Sequence, residues 1–95
     1  MAELYLGTIV ATTTAKNNTD TAATFTIPPL ARIVVQPDVA CYAGLIKSGG
    51  TAVASTTGLK VDADGIYETS TTSDRNVLSV VSVSGTVNAK VFQVL

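Results

Sequence analysis

Apolar residues fall in short runs rich in Val, Ile, Tyr and Phe, and each run is closed by Gly, Pro, Asn, Asp or Ser. No run carries an apolar stripe at helical spacing, so the pattern predicts strands throughout. The first spans Glu3 to Thr12, where a period of two sets Leu4, Leu6 and Val10 on one face. Thr13 to Asp20 is a polar loop. Ala22 to Ile27 reads as the second strand, closed by Pro28-Pro29, which can neither donate to a ladder nor continue one. Leu30 to Gln36 is the third, and its Ile33-Val34-Val35 run predicts burial on both faces near a sheet centre. Pro37-Asp38 then turns the chain into a fourth strand, Val39 to Ile46, followed by the flexible connection Lys47-Ser48-Gly49-Gly50.

Thr51 to Thr57 is read as an edge strand. Leu59 to Val61 and Ile66 to Thr69 flank Asp62-Ala63-Asp64-Gly65, whose final Asp-Gly predicts a hairpin turn. Thr71 to Asn76 is a second polar loop. Val77 to Val83 and Thr86 to Leu95 are expected to form a hairpin closed at Ser84-Gly85. Alternation breaks twice there: Leu78 and Val80 share one face but Val81 and Val83 fall on the other, and Val87, Ala89 and Val91 give way to Phe92 and Val94. A bulge, or a strand bending between sheets, accounts for such shifts. Seven or eight short antiparallel strands with turns about every 8–12 residues give an all-β fold, a β-sandwich or jelly roll. Periodicity does not choose between those topologies.

The chain has 95 residues, room for a single domain over 1–95 with one core. Its expected stability is about 5–14 kcal/mol, at ~0.05–0.15 kcal/mol per residue. The residues are 46% hydrophobic and 14% charged, a balance that folds rather than stays disordered. The net charge of −1 supplies no basic field for nucleic acid and no polybasic patch for lipid, and it favours association over repulsion. Thr and Ser supply most of the polarity. No segment approaches the ~20 apolar residues of a membrane span. The opening Met1-Ala2-Glu3-Leu4 has no signal-peptide pattern, so synthesis in a cytoplasm is expected. The one cysteine, Cys41, lies in the apolar run Val39 to Ala43 and is expected to be a buried thiol.

Histidine and tryptophan are absent. Ser-His-Asp and Cys-His nucleophile systems and the common zinc sites therefore do not arise. Ser48-Gly49-Gly50-Thr51 lacks the lysine and the helix of a phosphate loop. The sharpest chemical candidate is the set Asp62, Asp64 and Glu68, which resembles a fragment of a calcium loop. An EF-hand loop, though, places its glycine at position 6 and a glutamate at 12 between helices, so the hairpin turn is the better reading. The reading is accordingly of no enzyme, no cofactor and no catalytic residue. Tyr5, Tyr42 and Tyr67 carry two readings, as core aromatics or as anchors of a protein interface.

From Pro28-Pro29-Leu30-Ala31-Arg32-Ile33 onward the chain resembles small structural proteins of tailed bacteriophages. A proline-bounded strand leads to the sheet-centre run Val34-Val35-Gln36-Pro37-Asp38, then to Val39-Ala40-Cys41-Tyr42 and a Gly-containing loop. Leu78-Ser79-Val80-Val81-Ser82-Val83-Ser84-Gly85-Thr86-Val87-Asn88-Ala89-Lys90-Val91-Phe92 ends the pattern, and the first 27 residues lie outside it. Within that group the likeness is greatest to head decoration (cement) proteins. The resemblance implies a β-sandwich on the capsid exterior of the virion, as a homotrimer at three-fold positions, with the major capsid protein as partner. The runner-up is a receptor- or glycan-binding module of a phage tail or fibre, using the Thr13–Asp20 and Thr71–Asn76 loops. A calcium-dependent adhesion domain is a third.

Overall fold

The computed structural model describes residues 2–20 and 24–95, and all regular structure in them is strand. The strands are β1 Glu3–Ala11, β2 Lys16–Asn17, β3 Arg32–Pro37, β4 Cys41–Ile46, β5 Leu59–Val61, β6 Tyr67–Ser70, β7 Val77–Ser82 and β8 Val87–Val94. They form two four-stranded sheets, ordered β1-β8-β3-β6 and β2-β7-β4-β5, with every pairing antiparallel. The pairs β1–β8, β2–β7, β3–β6 and β4–β5 nest like the rungs of one long hairpin folded about the β4–β5 connection. Rolling that hairpin sets β8 beside β3 and β7 beside β4. The sandwich is a jelly roll.

That topology corrects two expected hairpins. β7 and β8 form where expected but lie in opposite sheets, so Ser84-Gly85 carries the chain across the sandwich. The Asp62–Gly65 turn also crosses, from β5 in one sheet to β6 in the other. The turn itself is made, with Gly65 N–H donating to the Asp62 carbonyl at 2.9 Å and Asp64 at φ 59°. A tight turn dictates only that the chain reverses. Which sheet receives the returning strand depends on where its apolar face finds cover.

The early region differs as well. Thr24 to Ile27 makes no strand, and Ala22 and Ala23 of the expected second strand lie outside the described residues. β2 forms instead inside the stretch read as a polar loop. Asn18 explains how. It is 1% exposed, its N–H donates to the Leu78 carbonyl at 3.1 Å, and its Oδ1 accepts the Leu78 N–H at 2.8 Å. Its Nδ2 donates to the Phe25 carbonyl at 2.8 Å, and its own carbonyl accepts the Phe25 N–H at 2.9 Å. One amide side chain thus continues the ladder on both sides, and polarity here marks an internal clamp.

Ile9, Ile33, Val35, Leu78, Val80, Val87 and Val91 fill the space between the sheets, together with Cys41 and Ala43. The register of β1 on β8 shifts between Tyr5 and Gly7, which makes Leu6 the extra residue of a bulge. Leu4, Leu6 and Val10 therefore do not share a face. Leu6 packs on the core while Leu4 and Val10 are exposed, and Ile9 and Ala11 take the inward positions.

The phase breaks read in the last two strands are not bulges: the described registers of β7 and β8 shift only opposite Leu6. Each strand is apolar on both faces over part of its length. In β7, Val77 and Val81 face outward and are covered by the chain itself. Residues 51–57, expected as an edge strand, form a turn-rich cover that buries Val53 against Ile46 and Val77. Val53 N–H donates to Ser79 Oγ at 3.1 Å. Gly44 admits this cover, because a Cβ there would sit 3.0 Å from Val53 Cγ1.

Candidate functional site

In β8 the outward apolar residues Phe92 and Val94 are half-buried. Pairing sets Tyr5, Phe92, Val34 and Glu68 in one row across all four strands of the β1-β8-β3-β6 sheet. The inward partners of these strands, Ile33, Val35 and Val91, are fully buried, so the row faces out. The Tyr5 and Phe92 rings lie 5.6 Å apart with planes tilted by 58°, a favourable aromatic pair. Tyr5 is 54% exposed and its hydroxyl shares a 2.6 Å hydrogen bond with Thr8 Oγ1. Ile66, just before β6, is 66% exposed. A shallow depression of about 270 Å³ is lined by the apolar Val34, Ile66, Phe92 and Val94 and by the polar Glu3, Arg32, Gln36 and Glu68.

Arg32 and Glu68 are hydrogen-bonded to each other, with their side chains 56% and 45% exposed. At that exposure the pair adds little stability. The pair cancels its own charge, and Glu3 adds a further carboxylate to the lining.

The three tyrosines named from sequence are not brought together. Tyr5 lies on this face. Tyr42 is half-buried on the opposite sheet, paired with Lys60 and Val81. Tyr67 faces inward and packs on the core. Phe92, Val34, Val94 and Ile66 were missed, although the shift from Val91 to Phe92 and Val94 was their signature. An apolar residue out of phase marks a second apolar face.

The acidic set is dispersed too. Asp64 N–H donates to the Pro37 carbonyl at 2.9 Å, whereas Glu68 pairs with Val34. Those levels on β3 are three residues apart, roughly 10 Å at strand rise. Glu68 is engaged with Arg32, and no group of three or more His, Cys, Asp or Glu among the described residues is placed to hold a metal ion. Asp64 lies instead near Asp38, in a hollow with Asn88 and Lys90. The Asn88 side-chain amide and backbone N–H donate to Asp38 at 2.9 and 2.7 Å and hold its carboxyl below the usual range.

The loops read as receptor contacts turn key polar groups inward. Thr71 is 3% exposed, and its hydroxyl donates to the Pro28 carbonyl at 2.7 Å and accepts the Ala31 N–H at 2.8 Å. It stands in for the missing hydrogen bond of the Pro28–Ala31 turn. Thr71→Val keeps the shape and leaves that N–H unpaired, so urea denaturation is expected to show a loss of about 1–3 kcal/mol. Asn76 Nδ2 similarly donates to the Ile27 carbonyl at 3.1 Å.

Cys41 is buried as expected, and burial, with a smaller push from the Asp38 charge, raises its thiol to about 11 from an ordinary 9.0. The folded chain holds this proton more tightly than the unfolded chain. Its contribution to stability is therefore complete below pH 9 and is lost as pH climbs towards 11. Below pH 9 a disulfide reagent should label Cys41 only at the rate of unfolding. Rapid labelling of folded protein would contradict the burial.

Comparison of the chain with protein-family models, with curated proteins and with solved structures finds no match.

Proposed function

We propose that this chain is a virion structural protein, a head decoration module that binds the outer surface of a tailed-phage capsid shell as a homotrimer and stabilises it. One observation carries the reading. A jelly roll covers part of the outer face of one sheet with its own chain and leaves Tyr5 exposed beside half-buried Phe92 and Val34 on the outer face of the other, on a surface of low charge. Such a molecule works by the shape it presents to protein neighbours. A rigid module touching several shell subunits gains avidity from simultaneous contacts, and those contacts oppose the outward push of packaged DNA.

The test uses particles of the phage that encodes the chain, made with and without its gene. Particles lacking the chain should lose integrity at a lower temperature, and purified chain added back should restore it. Equal durability of both particles, with the chain absent from native ones, would overturn the proposal.

A further inference from the structure

Leu30 is anomalous in two independent ways. Its φ is 53°, in the left-handed region that glycine and asparagine occupy and branched apolar side chains avoid. Its side chain is also 79% exposed, the most exposed large hydrophobic residue among those described. Packing within the chain therefore does not repay the strained backbone. Nor is the turn loose. Pro28 and Pro29 stiffen it, and Thr71 ties both of its ends, its hydroxyl bridging Pro28 and Ala31 and its N–H donating to the Ala31 carbonyl at 2.8 Å. The fold holds an apolar knob rigidly in solvent, in a conformation its residue type disfavours. Strain of this kind is kept where it serves a contact.

We infer that Leu30 is the knob of a copy-to-copy contact and inserts into the Val34–Ile66–Phe92–Val94 depression of a second copy of this chain. The inference rests on the oligomeric part of the proposed function and names its contact. Both halves are present in one chain, on the same sheet. The register places the starts of β1 and β3 and the end of β8 together, so the knob stands at the end where Leu4 and Leu95 are also exposed. The receptor offers the apolar side chains of Val34, Ile66, Phe92 and Val94 among the polar Glu3, Arg32, Gln36 and Glu68, and at about 270 Å³ it has room for an isobutyl group. Charge fits as well. Residues 28–31 carry none, and at the receiving rim Arg32 and Glu68 neutralise each other, which leaves Glu3 as the further charge lining the depression. The net charge of −1 sets no barrier between copies. Where the knob of each copy fills the depression of the next, the contact is head-to-tail, and such contacts form a ring when the rotation between copies closes. A ring of three is the assembly proposed above.

Light scattering and sedimentation of the intact chain test this. The wild type should show three times its 9.7 kDa mass. Leu30→Gly accepts the positive φ freely, so as a monomer it should stay folded, yet associate about 30-fold or more weakly than wild type. Ile66→Lys, at an exposed wall of the depression, should do the same. Mixed in equal amounts, the two variants should form a two-chain species, since each supplies the half the other lacks. A monomeric wild type, undiminished assembly of Leu30→Gly, or a mixture that stays monomeric would overturn the contact. Rebinding of the chain to stripped particles judges the decoration role separately.

Discussion

Replacing Asn18 by leucine should lower stability by about 2–5 kcal/mol, the cost of leaving a buried and a part-buried backbone group without partners. The side chain, itself 1% exposed, serves the buried Leu78 N–H and the part-buried Phe25 carbonyl at once. Leucine keeps the branched shape and is larger than asparagine, so no cavity contributes to the loss. Against an expected total of about 5–14 kcal/mol this is a large fraction, and the melting temperature should fall by more than about 10 °C. Asn18→Asp separates the two bonds. It keeps an acceptor for Leu78 and turns a second oxygen on the Phe25 carbonyl, so it should be least harmful at acid pH, where the carboxyl can donate. A variant within 0.5 kcal/mol of wild type would show that β2 needs no clamp.

The second large effect lies where β1 meets the chain entering the core. A Cβ on Gly7 would sit 2.6 Å from Phe25 Cγ, closer than the two atoms can approach. Gly7 cannot retreat, because its strand is laddered to β8 opposite Val91. The ring must leave its place on the core. Gly7→Ala is therefore expected to cost about 3 kcal/mol, the upper end for overpacking. Phe25→Ala alone should cost a similar amount, about 3 kcal/mol, through lost burial. The double variant has room for the new methyl, so its cost should fall short of the sum by about 1–3 kcal/mol. Simple additivity in chemical denaturation would mean that the two residues do not touch.

These two sites show how far local pattern reached. Punctuation by Gly, Pro and Asp, with Val- and Ile-rich runs, was enough for an all-β chain and for the positions of most strands, because strand propensity and turn chemistry are local properties. Cys41 was legible as buried for the same reason. Asn18 was not legible, since a buried amide and a loop amide look alike until a ladder partner 60 residues away is known.

Pairing was decided by the tertiary structure alone. Ser84-Gly85 and Asp64-Gly65 announce turns, but nothing within a few residues of them says that the next strand joins the opposite sheet. The outward apolar face of the β1-β8-β3-β6 sheet was half visible. Tyr5 was named, and the out-of-phase Phe92 and Val94 were noticed, yet the same kind of break in β7 proved to be covered by residues 51–57 while that in β8 leaves Phe92 and Val94 half-buried. Periodicity tells that a strand has two apolar faces. Whether the second is buried depends on what distant chain lies over it, and that is a matter of burial in three dimensions.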